Sequence, residues 1–214
     1  YAYGFKDRGH KYGGDLLFHF YRKRNAWIQF SYEQDVKETG GNIISLRKNG
    51  LLSNSFYPIF ISAMDEVEKM EVRMNGRLIG NLSSLLFANY QTVSTVSDYR
   101  FMVPKSEQIS VLVRDFSFYE AGVGLRWAQG EKLALMGDRE VSLGSKWPLF
   151  FLRYTMGQTD ISNERSSFQR LDAEMEKTFR MALTGDFTVR VTGGWIPNNL
   201  PAHMNYNAQG TNTN

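Results

Sequence analysis

The sequence contains no cysteine at all. A disulfide framework, a thiolate metal site and a cysteine nucleophile are therefore all excluded. An oxidising compartment such as the periplasm is compatible with this absence, and so is the cytosol.

Long apolar runs are also missing. No stretch approaches the roughly 18 to 20 consecutive apolar residues that a membrane-spanning helix needs, and the mean hydropathy is −0.39. A helical membrane protein is therefore excluded. A transmembrane β-barrel is not, because its strands alternate apolar residues facing lipid with polar residues facing the lumen.

Charge of one sign is not concentrated anywhere. The chain has 25 Lys and Arg against 22 Asp and Glu, and its net charge is +3. Nucleic-acid binding proteins carry a concentrated basic face, so no nucleic-acid partner is expected.

Aromatic residues, in contrast, are abundant and make up 14% of the chain. Such a composition favours strands over helices. A length of 214 residues requires no more than one domain, so residues 1–214 are interpreted as a single β domain. The chain opens at Tyr1 without an initiator methionine or a signal peptide, and it is expected to be a fragment.

Strand patterns begin near the N-terminus. The runs from Tyr12 to Phe20 and from Ala26 to Asp35 are separated by a short polar connector and predict a hairpin. Periodicity then disappears over residues 36–65, which are predicted to form a long polar loop. Loops of that length are ordinary outside the membrane in barrels.

The clearest predicted strand runs from Phe116 to Ala128. Its apolar residues recur at every second position, with glycine and charged residues between them. Ten or more residues of such alternation are enough for a tilted strand to cross a bilayer. Gly122 and Gly124 are interpreted as points of close approach or strand bending, not as part of a phosphate-binding loop.

The segment from Ser167 to Phe179 alternates apolar residues with charged ones. A soluble sheet would bury the apolar set, and a membrane barrel would turn it outward to lipid. The alternation alone leaves both arrangements open. The set predicted to face the lumen combines charges of this segment with two from the strand Phe116 to Ala128 and one from the last strand. Its members are Glu120, Arg126, Arg170, Asp172, Glu174, Glu176 and Arg190.

A last strand precedes Gly193, and residues 196–214 form a polar tail. About ten strands are predicted in all, joined by connectors that tend to alternate between short and long. The link from Gln158 to Ser167 interrupts that alternation. The predicted fold is all-β, an antiparallel up-and-down transmembrane β-barrel that is incomplete in this chain.

Two further features favour a membrane barrel. The predicted strands exceed the usual soluble length of about 5 to 6 residues, and aromatic residues recur near strand ends, as an interfacial girdle requires. The predicted interface aromatics are Tyr12, Trp27, Tyr90, Trp127, Trp147, Tyr154 and Phe179. A soluble lipocalin-like barrel that binds an apolar small molecule remains the alternative.

Several segments carry a family resemblance. These are residues 3–7, 11–17 and 25–28, then 122–128 with 130–132, and 141–148 leading to 152–155. They resemble a Bacteroidetes outer-membrane family of unknown function, whose barrel usually follows a carboxypeptidase-regulatory-like domain and is distantly similar to the BamA-like surface-antigen barrels. The resemblance implies further strands beyond this chain.

No constellation indicates catalysis. His10, His19 and His203 have no spacing typical of a metal site or a catalytic triad, and pairing His19 with a serine for a barrel-borne hydrolase has no support. The acidic row at positions 172, 174 and 176 is better explained as a lumen-facing charge ladder than as paired catalytic carboxylates.

The sequence therefore predicts a non-catalytic protein of the Gram-negative outer membrane, with a structural, assembly or transport role. No cofactor or metal is expected. The expected partners are outer-membrane lipid and other outer-membrane or periplasmic proteins.

Overall fold

The computed structural model describes residues 2–3, 10–38, 64–95, 100–102, 110–112, 115–136, 139–161, 164–181 and 185–197. Within these ranges the chain forms β-strands, one short 3-10 helix and turns, with no α-helix. The predicted all-β class is confirmed.

Eight long strands dominate the structure. Their alternating sequences fit a sheet that has two unlike faces. They are β2 (His10–Tyr21), β3 (Ala26–Glu38), β4 (Met64–Ile79), β5 (Leu82–Thr95), β8 (Asp115–Trp127), β11 (Leu149–Ile161), β12 (Glu164–Met181) and β13 (Gly185–Trp195). The shorter elements are β1 (Ala2–Tyr3), η1 (Arg22–Arg24), β6 (Arg100–Met102), β7 (Ser110–Leu112), β9 (Glu131–Met136) and β10 (Arg139–Ser145).

The long strands pair in chain order. One nine-stranded antiparallel sheet has the order β1-β2-β3-β4-β5-β8-β11-β12-β13, while β6-β7 and β9-β10 are separate hairpins within the connections. The predicted up-and-down, antiparallel arrangement is confirmed. Among the described strands no pairing joins β13 to β2, so the sheet is open and has two edges.

The two ends of the sheet differ in their connections. At the turn end, Asn25 adopts a left-handed conformation (φ 49°) after η1, and Gly80 (φ 53°) lies in the turn between β4 and β5. The β9-β10 hairpin also belongs to this end because it joins β8 to β11. At the opposite, loop end, β3 connects to β4, β5 to β8, and β11 to β12.

Two strand boundaries differ from the sequence prediction. The predicted connector from Gln158 to Ser167 is wrong, because β11 and β12 stay paired as far as Ile161 and Glu164. The predicted loop at 36–65 is shorter at both ends, since β3 extends to Glu38 and β4 begins at Met64. Residues 39–63 and 198–214, the bulk of the predicted loop and tail, lie outside the described residues.

Each strand contributes alternate residues to two faces, and the ladder pairs carry that assignment from strand to strand. We call the more buried face the inner face and the other the outer face. Glu71, Asn89 and Glu120 lie in one row on the inner face, and Val72, Ala88 and Ala121 lie in the next row on the outer face.

Among the described residues, the buried apolar core lies at the loop end of the inner face, apart from Ala26 and Ala128 at the turn end. Its largest members are no more than 4% exposed. They are Val67, Val93, Phe116, Phe118 and Phe168. Elsewhere on the inner face, glycine and polar or charged residues predominate.

Candidate functional site

Strand β12 has the reverse of the burial expected in a soluble sheet. Asp172 is 1% exposed and Glu174 is 3% exposed, while the apolar Leu171 between two charged neighbours is 37% exposed. Arg170 and Glu176 are likewise buried. The charged set of this strand therefore faces inward and the apolar set faces outward.

The same arrangement extends across all eight long strands. Large apolar side chains on the outer face are exposed on β2 through β13. We call these residues the apolar band: Leu16, Phe18, Phe30, Met70, Val72, Met74, Leu86, Tyr119, Leu125, Trp127, Phe150, Leu152, Met156, Leu171, Met175, Phe179, Phe187, Val189, Val191 and Trp195.

The apolar band ends in polar residues toward the loop end. There the outer face carries cross-strand hydrogen bonds from Tyr32 Oη to Glu68 Oε1 (2.8 Å), from Gln34 Nε2 to Glu66 Oε1 (2.9 Å) and from Ser94 Oγ to Asp115 Oδ1 (2.8 Å). At this end the outer face is therefore polar and the inner face apolar, because Val67, Val93 and the phenylalanine residues of the core lie on the inner face. Where the apolar band lies, the arrangement is the reverse.

The apolar band also runs obliquely to the hydrogen-bonded rows. Phe18, near the turn end of β2, shares its row with Trp195 at the loop end of β13. Phe187, at the other end of β13, also belongs to the band. Across the sheet, which is about 34 Å wide, the turn-end limit of the band shifts by roughly six to eight residues along the strands. The strands are therefore inclined by roughly 30 to 40° to a line perpendicular to the long direction of the band.

All seven charges predicted to face the lumen lie together on the inner face. Arg153 Nε donates a hydrogen bond to Asp172 Oδ2 at 3.1 Å, and Arg170 Nε lies 3.4 Å from the same oxygen. The Arg170 guanidinium also lies 4.0 Å from Glu120 Oε1, and Glu120 Oε2 accepts from Asn89 Nδ2 at 3.0 Å. One chain of polar contacts thus crosses β5, β8, β11 and β12.

Five further ion pairs continue this inner charge ladder. Arg190 contacts Glu174 Oε1 at 3.3 Å and Glu176 Oε2 at 2.8 Å, which joins β13 to β12. Arg126 pairs with Glu131. On β4, Glu71 lies between Lys69 and Arg73 at 3.3 and 2.6 Å. Buried carboxylates of the ladder are thereby matched by cations from the same or neighbouring strands.

The predicted interface aromatics occupy several positions. Tyr12 and Tyr90 lie on the outer face near the loop-end limit of the apolar band, and Trp127 and Phe179 near its turn-end limit. Tyr154 lies within the band, and Trp147 precedes β11 and is 54% exposed. Trp27 lies on the inner face, paired with Asn75.

Aromatic rings rest on inner-face glycines. A Cβ atom at Gly122 would lie 2.5 Å from Phe87 Cζ and 2.4 Å from the Tyr154 carbonyl oxygen, and one at Gly157 would lie 2.5 Å from Phe168 Cζ. Close approach at Gly122 was predicted from the sequence and is confirmed. At Gly124 the nearest atom, Leu85 Cβ, would be 3.6 Å from an added Cβ, which is an ordinary van der Waals contact.

The loop-end core was not predicted from the sequence. The pattern that indicates it is a change of phase of the apolar residues in β8, from the even positions Phe116 and Phe118 to the odd positions that begin at Tyr119. That change marks where the polarity of the two faces reverses. Phe87 and Phe168 were also missed, because their partners are glycines on neighbouring strands.

The histidines are dispersed. His10 is in β2 opposite Tyr3, His19 is opposite Trp27, and His203 lies outside the described residues. In the part of the chain that the structure describes, no group of three or more potential metal ligands occurs. No helix among those residues has the length and apolar character needed to cross a membrane.

Comparison with known proteins gives one match. The family model described as the C-terminal domain of a family of unknown function, DUF5686, matches residues 1–212. No curated protein and no solved structure matches the chain.

Proposed function

Because the chain belongs to the DUF5686 C-terminal domain family, whose function is unknown, we propose a function from the physical character of its two faces. We propose that it is the membrane-spanning part of a Gram-negative outer-membrane β-barrel protein, with a structural, assembly or transport role and no catalytic one. Membrane lipid would contact its outer face, and other outer-membrane or periplasmic proteins would be its partners.

The apolar band is the observation that carries the proposal. Soluble monomers rarely expose a contiguous apolar patch larger than a few hundred Å², whereas this sheet exposes large apolar side chains on eight neighbouring strands. In lipid, the same surface needs no further cover. The inverse burial on β12 supports the same environment, because only a lipid-facing sheet gains by turning Leu171 and Met175 outward and Asp172 inward.

The height of the apolar band fits a bilayer. On β8 it extends from Tyr119 to Trp127, which is about 26 Å at ~3.3 Å per residue. With the inclination found above, the band is about 20 to 23 Å tall, close to the ~25 Å apolar band of outer-membrane barrels. Tyr90 and Tyr119, with ring centres 4.8 Å apart, lie at the loop-end limit of the band, where an interfacial girdle would lie.

A lipid environment also requires that the two sheet edges be paired. Every residue of β13 is exposed, and an unsatisfied backbone amide or carbonyl group in hydrocarbon costs several kcal/mol. The proposed barrel therefore closes at β2 and β13, either with each other or through further strands. The inner charge ladder would then line the lumen and join neighbouring strands across it.

The alternative, a soluble lipocalin-like barrel, has less support. Such a protein binds its apolar ligand against an apolar interior. Here the middle of the inner face carries Arg153, Asp172 and Glu120, which an apolar ligand would have to desolvate. The large buried apolar residues of the inner face lie at the loop end, and apolar residues farther along this face lie beside glycine or charge, as Phe87 does beside Gly122 and Phe151 beside Arg126.

The proposal is tested by expressing the chain with an outer-membrane targeting signal and fractionating the cells. We expect it in the outer-membrane fraction, extractable only with detergent, with a gel mobility that changes on heating. Purification as a soluble monomer without detergent would overturn the proposal.

A further inference from the structure

A cleft of about 700 Å³ opens at the turn end, beside the apolar band. It lies between the β9-β10 hairpin and the turn-end parts of β11, β12 and β13. Three lysines, Lys132, Lys146 and Lys177, line it together with Trp147 and Phe179. The charge ladder described above contributes only Glu176 to its wall.

Local backbone contacts hold the cleft in shape. Gly130 has a φ of +64°, and a Cβ there would lie 3.3 Å from Trp147 Cδ1, so the indole packs directly over this glycine. Ser145 Oγ donates to the Gln129 carbonyl oxygen at 2.7 Å and accepts from the Trp147 backbone N–H at 3.1 Å. Trp147 and the adjoining Lys146 are therefore positioned by the hairpin.

The cleft is basic. Lys132 and Lys146 are exposed, and Lys177 donates a hydrogen bond to the Lys146 carbonyl oxygen. The lining has two acidic residues, of which Glu176 is paired with Arg190 at 2.8 Å. Asp186 is the other carboxylate of the lining, which contains three lysines. Ammonium groups bind phosphate as compact point charges.

The cleft is also continuous with the apolar band. Lys177 Nζ lies 5.7 Å from the centre of the Phe179 ring, and that ring lies 6.4 Å from the ring of Phe187. Both phenylalanines belong to the band. A ligand bound here would meet cations at one end and an exposed apolar surface at the other.

We propose that this cleft binds the headgroup of an anionic, phosphate-bearing amphiphile whose acyl chains lie along the band at β12 and β13. Lys132 and Lys146 contact the phosphate, Lys177 keeps its ammonium group at the headgroup level while its stem follows the band, and Trp147 lies at the interface. The inference rests on the proposed function in one respect, because it requires that the band faces lipid.

The test uses the whole chain reconstituted in vesicles of zwitterionic phospholipid, to which brominated phosphatidylglycerol is added. Bromine quenches tryptophan fluorescence at short range, and it would also quench Trp127 and Trp195 in the apolar band. Every variant therefore also carries Trp27→Phe, Trp127→Phe and Trp195→Phe, so that Trp147 is the remaining tryptophan and quenching reports the anionic lipid near it. We compare K132Q/K146Q with R22Q/K23Q, which loses the same charge at the same end of the sheet but outside the cleft.

We expect K132Q/K146Q to require about thirtyfold more anionic lipid for half-maximal quenching, since each of the two basic side chains near an anionic lipid contributes about 1 kcal/mol. R22Q/K23Q should stay within about twofold of the unmodified chain. Unchanged heat-modifiable mobility verifies that each variant is folded.

Three outcomes would overturn the inference: equal losses in both double variants, equal quenching by brominated zwitterionic lipid, or full competition by inorganic phosphate at similar concentration. The last would indicate a site for free phosphate. A chain that reconstitutes but shows no preference for anionic lipid refutes this inference alone, whereas a chain that never enters vesicles refutes the proposed function.

Discussion

At the scale of single residues, the inner face depends on glycines that other proteins would fill with side chains. Phe87 and Phe168 each lie over a glycine of a neighbouring strand, Gly122 and Gly157. A ring seated on a glycine packs against backbone from two strands at once. The absence of a side chain is therefore part of the packing at these two positions.

Gly122→Ala should destabilise the folded chain by about 1 to 3 kcal/mol, the usual cost of overpacking. The added methyl group would meet Phe87 Cζ at 2.5 Å and a carbonyl oxygen at 2.4 Å. Gly124→Ala, two residues away on the same face, is the matched control. Urea unfolding in detergent micelles checks both, and equal midpoints for the two variants would contradict the packing argument.

The buried ion pair of Asp172 and Arg153 should matter far more than the exposed pair of Asp160 and Arg165. Asp172 is 1% exposed, whereas the Arg165 side chain is 79% exposed. Removing one partner of a buried pair costs about 3 to 5 kcal/mol, and a surface pair contributes about 0 to 1 kcal/mol. Asp172→Asn should therefore lower the unfolding midpoint strongly and Asp160→Asn hardly at all, as measured by urea titration.

At the scale of elements, strand β12 has both environments on one face. Its outer residues are polar at Ser167 and apolar from Leu171 onward, with the exception of Lys177. The strand extends past the apolar band at the loop end, where its inner side packs into the phenylalanine core instead. Under the proposed function, β12 would combine a lipid-facing section with a section that has an ordinary buried core.

Met175→Arg should impair membrane assembly, while Ser167→Arg should not. Arginine on the lipid face costs about 2 to 4 kcal/mol at mid-bilayer and about 0 to 1 kcal/mol near the interface, and Met175 lies midway between the band residues Leu171 and Phe179 of β12. Met175 is already 36% exposed, so in a water-soluble protein the two changes would differ little. The folded, heat-modifiable fraction in the outer membrane is the measurement, and equal yields would speak against a lipid-facing β12.

The extent of β11 and β12 was underestimated from the sequence for a definable reason. Residues 158–167 are polar apart from Ile161, so they lack the alternation that predicts a strand. Their pairing is nevertheless continuous through Thr159 and Ser166, with a hydrogen bond from Thr159 Oγ1 to the Ser166 carbonyl oxygen at 3.3 Å. Backbone pairing with a neighbour, which no single segment encodes, extends both strands.

At the scale of the whole molecule, the oblique course of the apolar band is the feature with most consequence. Ala88 on β5 and Gln169 on β12 belong to one hydrogen-bonded row. At β5 this row lies within the apolar band. At β12 it lies outside the band, whose first residue on that strand is Leu171. Strands inclined to the membrane would produce this offset, as barrel closure demands.

Because the chain has no cysteine, single cysteines can report this inclination. In vesicles, Ala88→Cys should resist a water-soluble maleimide, and Gln169→Cys should react readily, although the two lie in the same row. Both should react after denaturation. Equal protection of the two sites would mean that the rows run parallel to the membrane and would refute the inclination.

The sequence by itself established the strands, their antiparallel hairpins and the sharing of one face by the seven charges from Glu120 to Arg190. A period of two residues determines which side chains lie together, because successive residues point to opposite faces. That period is the same whether the apolar set faces a core or lipid. Trp27 illustrates a further limit, since its placement at the start of β3 did not reveal its face.

The tertiary structure determined the features that depend on strand pairing and register. Only paired strands bring Phe87 over Gly122, join Arg153 to Asp172, and align twenty apolar residues of eight strands into one oblique band. Burial then distinguishes the two faces, with Asp172 inside and Leu171 outside. These are relations between strands far apart in the chain, and no local pattern of residues contains them.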